Sequence, residues 1–164
     1  MKPSIKYLIY ITLGALILMI DAFYNGFPIV YSDSSTYIAS GFSFEMPMDR
    51  PITYSLLLRL FSLNGISLWL VIFFQSLLTS FLIFSITKIF VKKEVYLKYG
   101  LLCIILLALF TGLSWTTSQI LADIFTSIAL LSSILLILNE QKKAMRIFLY
   151  IVFTDHRKKM GINK

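Results

Sequence analysis

The chain has 164 residues, 58% of them hydrophobic and 14% charged, with a mean hydropathy of +0.83. A soluble domain is about 45–50% apolar, and a core of this size could not hide the excess, so the composition excludes an ordinary soluble domain and points to an integral membrane protein. A formal net charge of +7 would suggest nucleic acid as the partner of a soluble protein, but here the bases flank apolar runs, where topology and anionic lipid headgroups account for them.

No nucleic-acid partner is therefore expected. Cys103 is the one cysteine and His156 the one histidine. An intrachain disulfide is impossible, and a zinc site built from His and Cys is not expected.

The expected fold is all-α and polytopic. It has four membrane spans, a partial fifth and two short interfacial helices, in one membrane domain over 1–153 followed by a polar basic tail over 154–164. A span needs about 20 mostly apolar residues. The first falls at 7–24, with Asp21 near its end. Lys2 and Lys6 precede it, as bases precede a signal peptide. Its end, "MIDAFYNGF", offers no small-x-small cleavage site, so the helix is expected to be retained.

Residues 25–65 form a long loop, and long loops are usually functional or disordered. "YSDSSTYIASGF" predicts a short helix. Ser32 is its N-cap, Asp33 lies in the first turn where the helix dipole favours an anion, and Gly41 is its stop. Asp33, Tyr37 and Ser40 then share a face. Pro47 and Pro51 punctuate a turn that holds Asp49 and Arg50. "ITYSLLLRLFSLN" predicts a second helix, with Ser55, Arg59 and Ser62 as a polar stripe and Leu56, Leu57, Leu60 and Leu63 as an apolar face. That is the pattern of a helix lying in the membrane interface, and Arg59 is assigned to lipid headgroups.

The second span is expected at 66–90. Within it Gln75 and Thr79 share one face, and Ser76 and Ser80 another, a spacing that more often means helix packing than chemistry. The third span, at 99–115, is the shortest. The fourth, at 120–138, puts Gln119, Asp123 and Thr126 on one helical face, and a carboxylate near a span is a functional hypothesis by default. A last apolar run, at 144–153, would cross about half the bilayer core. With four spans, thirteen of the fifteen Lys and Arg fall on one side, leaving Arg50 and Arg59 on the other. The positive-inside rule then makes the N-terminus cytoplasmic and loop 25–65 extracytoplasmic. Asp21 and Asp123 sit at helix ends on the loop's side.

Taken together, "SDSSTYIASG", "DRPITYSLLLRLF" and "SQILADIFTSIALL" resemble the N-terminal part of the GT-C membrane glycosyltransferases, which include protein O-mannosyltransferase and aminoarabinose transferase relatives. The resemblance covers about residues 5–140. It implies a transferase in the bacterial plasma membrane, fed at the outer face by a polyprenyl-phosphate-linked sugar, with donor sugar and acceptor unspecified. It implies Asp33 as the catalytic base, drawing the proton from an acceptor hydroxyl as that oxygen attacks the anomeric carbon. Asp49 and Arg50 would bind the donor, the Arg50 guanidinium steadying the phosphate. Tyr37, Asp123 and Gln119 complete the expected substrate-binding set. Acids facing one cavity would suit a divalent cation or none.

Two departures stand out. The turn's second proline is Ile52, and members of the family have at least twice as many spans. The abrupt change from "AMRIFLYIVF" to "TDHRKKMGINK" reads as a truncated or frameshifted end, with a genuine short protein as the alternative; a truncated chain would lack part of the donor cavity. A small proton-coupled transporter, with Asp123 or Asp21 as proton site, is the first alternative. It lacks the internal repeats common in transporters. A non-enzymatic accessory protein that docks partners on its loop is the second.

Overall fold

The structure, a computed structural model, describes residues 3–45 and 52–138. The expected turn with Asp49 and Arg50, the run at 144–153 and the tail at 154–164 lie outside the described residues. The fold is all-α: among the described residues there is no strand, only a single parallel bridge between Ile29 and Gln119. Contacts divide the chain into two units, Met1–Ile124 and Phe125–Lys164.

The first unit is built on three apolar helices: α1 (Pro3–Leu18), α5 (Leu68–Phe90) and α6 (Tyr96–Phe110). They close on a core of Ile11, Leu18, Ile83, Phe84, Ile104 and Ala108. Phe84 is its centre. Tyr7 and Tyr10 each meet the Phe84 ring edge-on at 6.4 Å, and Gly100 gives it room, since a Cβ there would come within 2.5 Å of the ring. The Ser80 hydroxyl crosses to α1 and donates to Ile11 O at 2.9 Å. Cohesion here is dispersion over many short contacts, supplemented by hydroxyl–carbonyl bonds.

The distribution of polarity is the reverse of a water-facing fold. On α5, Gln75, Ser76, Thr79 and Ser80 are buried, while Leu70, Phe81, Ile89 and Phe90 are exposed. On α1, Leu8, Leu13 and Leu16 point outward; on α6, Leu102, Leu106, Leu109 and Phe110 do. Exposed apolar side chains on all three helices suit contact with lipid or protein.

Among the described residues one helix, α5 with 23 residues, is long and apolar enough on its own to cross a membrane. The expected span at 7–24 is two helices, α1 and α2 (Ile20–Asn25). The expected span at 99–115 is also two, α6 and α7 (Leu113–Thr117), parted by extended backbone at Thr111. The expected span at 120–138 begins later, as α8 (Asp123–Leu138). Gln119 therefore lies before the helix and does not share a helical face with Asp123 and Thr126.

The break between α1 and α2 has neither proline nor glycine at it. Two groups that would pair in an unbroken helix, Leu18 O and Ala22 N–H, are taken by residues almost a hundred positions away. The Thr117 hydroxyl donates to Leu18 O at 2.6 Å, and Ala22 N–H donates to Ser118 Oγ at 3.2 Å. Side chains inserted into the ladder are a recognised cause of sharp kinks. Thr117→Val alone strands a carbonyl and Ser118→Ala alone strands an amide, so each is expected to cost about 1–3 kcal/mol. The double variant lets the two stranded groups pair with each other and should cost less than the sum. A double-mutant cycle by denaturant unfolding in micelles measures this. Strict additivity would show that the two hydroxyls do not hold the break.

Candidate functional site

The loop expected at 25–65 contains a helix pair, α3 (Ser32–Ser43) and α4 (Ile52–Phe61). At the start of α3 the cap differs from the expected one. Tyr31 is the N-cap, in extended backbone, and Ser32 is the first helical residue. The orphan donor of the first turn is met by Ser34, whose Oγ accepts from Tyr31 N–H at 2.9 Å. The same hydroxyl donates to Ile120 O at 2.8 Å. Asp33 stands in that first turn, half-buried, with the Ser32 hydroxyl at 3.5 Å.

Gly41 does not stop the helix, which runs on to Ser43 and ends with Phe44 at a φ of 61°. Gly41 serves close approach instead: a Cβ there would lie 2.5 Å from Ser55 O of α4. The buried face of α4 is Tyr54, Ser55, Leu58 and Ser62, and Leu56, Leu60 and Leu63 are exposed. Tyr37 of α3 meets Tyr54 edge-to-face, with ring centroids 5.0 Å apart. Burial, and then the neighbouring Tyr37, push the Tyr54 phenol above its ordinary pKa. It stays protonated at neutral pH and is suited to donating a proton in a hydrogen bond, not to acting as a base.

Arg59 was expected among headgroups; its guanidinium instead closes the joint between the two helices. Nη1 donates to Gly41 O at 3.3 Å, and Nε donates to the Asn64 side-chain oxygen at 3.0 Å. The guanidinium carbon lies 4.4 Å from the centre of the Phe44 ring and 5.6 Å from that of Phe42, a cation–π arrangement.

The pair is joined to the helical core through the segment after α7. Ile29 N–H donates to Ser118 O and Ile120 N–H donates to Ile29 O, both at 2.9 Å. From α5 the Gln75 carboxamide donates twice, to Thr117 O at 2.8 Å and to Gln119 O at 2.6 Å. The Ser114 hydroxyl donates to Asp21 Oδ2 at 2.6 Å. The last residue of α7, Thr117, and the non-repeating backbone of residues 118–120 therefore form a buried strap whose polar groups are met by side chains and by the backbone of Ile29, as buried backbone requires.

Of the expected site residues, Asp33 and Asp123 are brought towards one place. They lie one and three residues from the two ends of the Ser34–Ile120 hydrogen bond. Asp123 is exposed at the first position of α8. Gln119 is buried within the strap and Tyr37 is buried against α4. Asp49 and Arg50 are outside the described residues. Among the described residues no group of three His, Cys, Asp or Glu is placed to hold a metal ion. The residues whose structural part the pattern missed are Ser34, Gln75, Thr117 and Ser118. Gln75 had a signal, a carboxamide in the middle of an apolar run; the three hydroxyls had none.

A scan of protein-family models, a search of curated proteins and a search of solved structures each return no match for the chain.

Proposed function

We propose that the chain is a polytopic membrane protein of GT-C glycosyltransferase type, whose outer helix pair presents Asp33 to an acceptor and binds a polyprenyl-phosphate sugar at the extracytoplasmic face. The outward apolar faces of α1, α5 and α6 support the membrane part of this reading. The observation that carries the transferase part is the setting of Asp33. It is a half-exposed carboxylate in the first turn of α3, on a helix capped by another residue and tied to the strap that leads to Asp123. A half-exposed carboxylate at this position is suited to accept a proton. Arg50 steadies the departing phosphate, and α4, with its leucine face outward, rests on the outer leaflet.

Orientation and donor binding test the reading together. In a Cys103→Ser background, Glu45→Cys should react with a membrane-impermeant maleimide on intact cells, and Lys93→Cys only after permeabilisation. In nanodiscs the protein should bind polyprenyl monophosphate, and Arg50→Ala should weaken that binding by roughly ten- to a hundredfold, the worth of a charge-assisted hydrogen bond. Both cysteines labelling from one side would overturn the topology; absence of binding would remove the donor. A transporter is favoured only by the position of Asp21 just after the helix break, and polyprenyl phosphate binding separates the two.

A further inference from the structure

We infer that Gln75, in the middle of α5, is the positioning residue for Asp33, acting through the strap at 117–120. The inference rests on the transferase reading for what Asp33 does, but not for how Asp33 is placed.

A carboxamide has two N–H donors on one nitrogen, and here both are committed, to Thr117 O and Gln119 O. Two carbonyls on that side fix which end of the amide faces the strap. Gln75 is fully buried, so without its donors these carbonyls would have no solvent to turn to. Between them the strap carries Ser118 O, which receives Ile29 N–H; one residue further on, Ile120 returns a bond to Ile29 O and accepts the Ser34 hydroxyl. Ser34 also holds the amide that opens α3. Each link is a short directional bond, and the first is anchored on the longest helix among the described residues. The path from Gln75 to the first turn of α3 has no flexible side chain in it other than the two that begin and end it.

A second route could hold α3, through α4, whose Phe61 stacks on Phe74 of α5. The test must separate the two. A nitroxide is placed on Ser35→Cys, an exposed site next to Ser34, in the Cys103→Ser background, and its mobility is read by electron paramagnetic resonance in nanodiscs. Gln75→Leu, which keeps volume and removes the donors, should mobilise the label. Ser34→Ala should do the same, Ser34→Thr should restore the parent spectrum, and the double variant Gln75→Leu/Ser34→Ala should be no more mobile than either single. Thr87→Val, which removes a hydroxyl bond to Ile83 O further along α5, should leave the label unchanged. If Gln75→Leu does not fold, the Ser34 pair decides.

In the same nanodiscs, sugar transfer by Gln75→Leu should fall by about a hundredfold in kcat with the donor KM little changed, the cost of a small misplacement of a reacting group. An immobile label in Gln75→Leu or in Ser34→Ala, or equal mobilisation by Thr87→Val, overturns the inference. A parent protein that transfers no sugar overturns the transferase reading while the label still reports on Gln75.

Discussion

Asn in place of Asp33 is expected to abolish sugar transfer while leaving the fold and the binding of polyprenyl phosphate intact. The reason for the separation lies at the start of α3. The cap there comes from Ser34 and not from Asp33, so the substitution removes a charge from the first turn without removing the hydrogen bond that starts the helix. The lost interaction with the helix dipole is worth about 0.3–1 kcal/mol, too little to unfold the pair. Asparagine matches aspartate in size and cannot accept the acceptor's proton. Loss of a general base costs roughly a hundred- to ten-thousandfold in rate. Turnover of a polyprenyl-phosphate hexose, with thermal unfolding of the same samples as control, reads both halves. Retained transfer would remove Asp33 as the base; a collapsed melting transition would show that it is structural.

Gly41→Val should open the pair formed by α3 and α4. The atom that a Cβ would strike, at 2.5 Å, is Ser55 O. Ser55 O belongs to the backbone of α4, so no rotamer change relieves the clash and the two helices must part. Overpacking of this kind costs typically about 1–3 kcal/mol. The loss is not confined to one contact: the Arg59 bond to Gly41 O and the Tyr37–Tyr54 ring contact span the same joint. Hydrogen exchange should therefore show protection lost over α3 and α4 together while the α5 amides stay protected. Equal protection in variant and parent would mean that the close approach at Gly41 has no energetic weight.

Elements whose cause is local were legible in the sequence. The helix carrying Asp33 was predicted from Ser32 onward, and α4 and α5 fall close to their expected bounds, because periodicity and composition act within a few residues. The N-cap of α3 falls at Tyr31, one position before the expected Ser32, because Ser32, Ser34 and Ser35 are alike on paper and only the proximity of Ile120 selects Ser34 to bond back to the cap. Gly41 carried a true signal with the wrong meaning: glycine marks both helix ends and close contacts, and only the partner helix tells them apart. The break after Leu18 could not be foreseen, since "GALILMIDAF" holds a continuous helical pattern across it. Its cause is Thr117 and Ser118. The same distance effect removed Gln119 from the face of α8, where the i, i+4, i+7 spacing had put it.

The hydroxyl pair at 117–118 also sets an order of events during synthesis. When the first helix emerges from the ribosome, the side chains that will break it have not yet been made. Leu18 O and Ala22 N–H can then pair with each other, and the nascent segment is free to form one continuous helix. The bend enters after residue 118 arrives, by exchange of one helical bond for two tertiary ones. On the membrane reading proposed above, the segment would enter the bilayer as a straight rod and bend there afterwards, and a stall before residue 118 would leave an N-terminal helix of a different shape from the finished one.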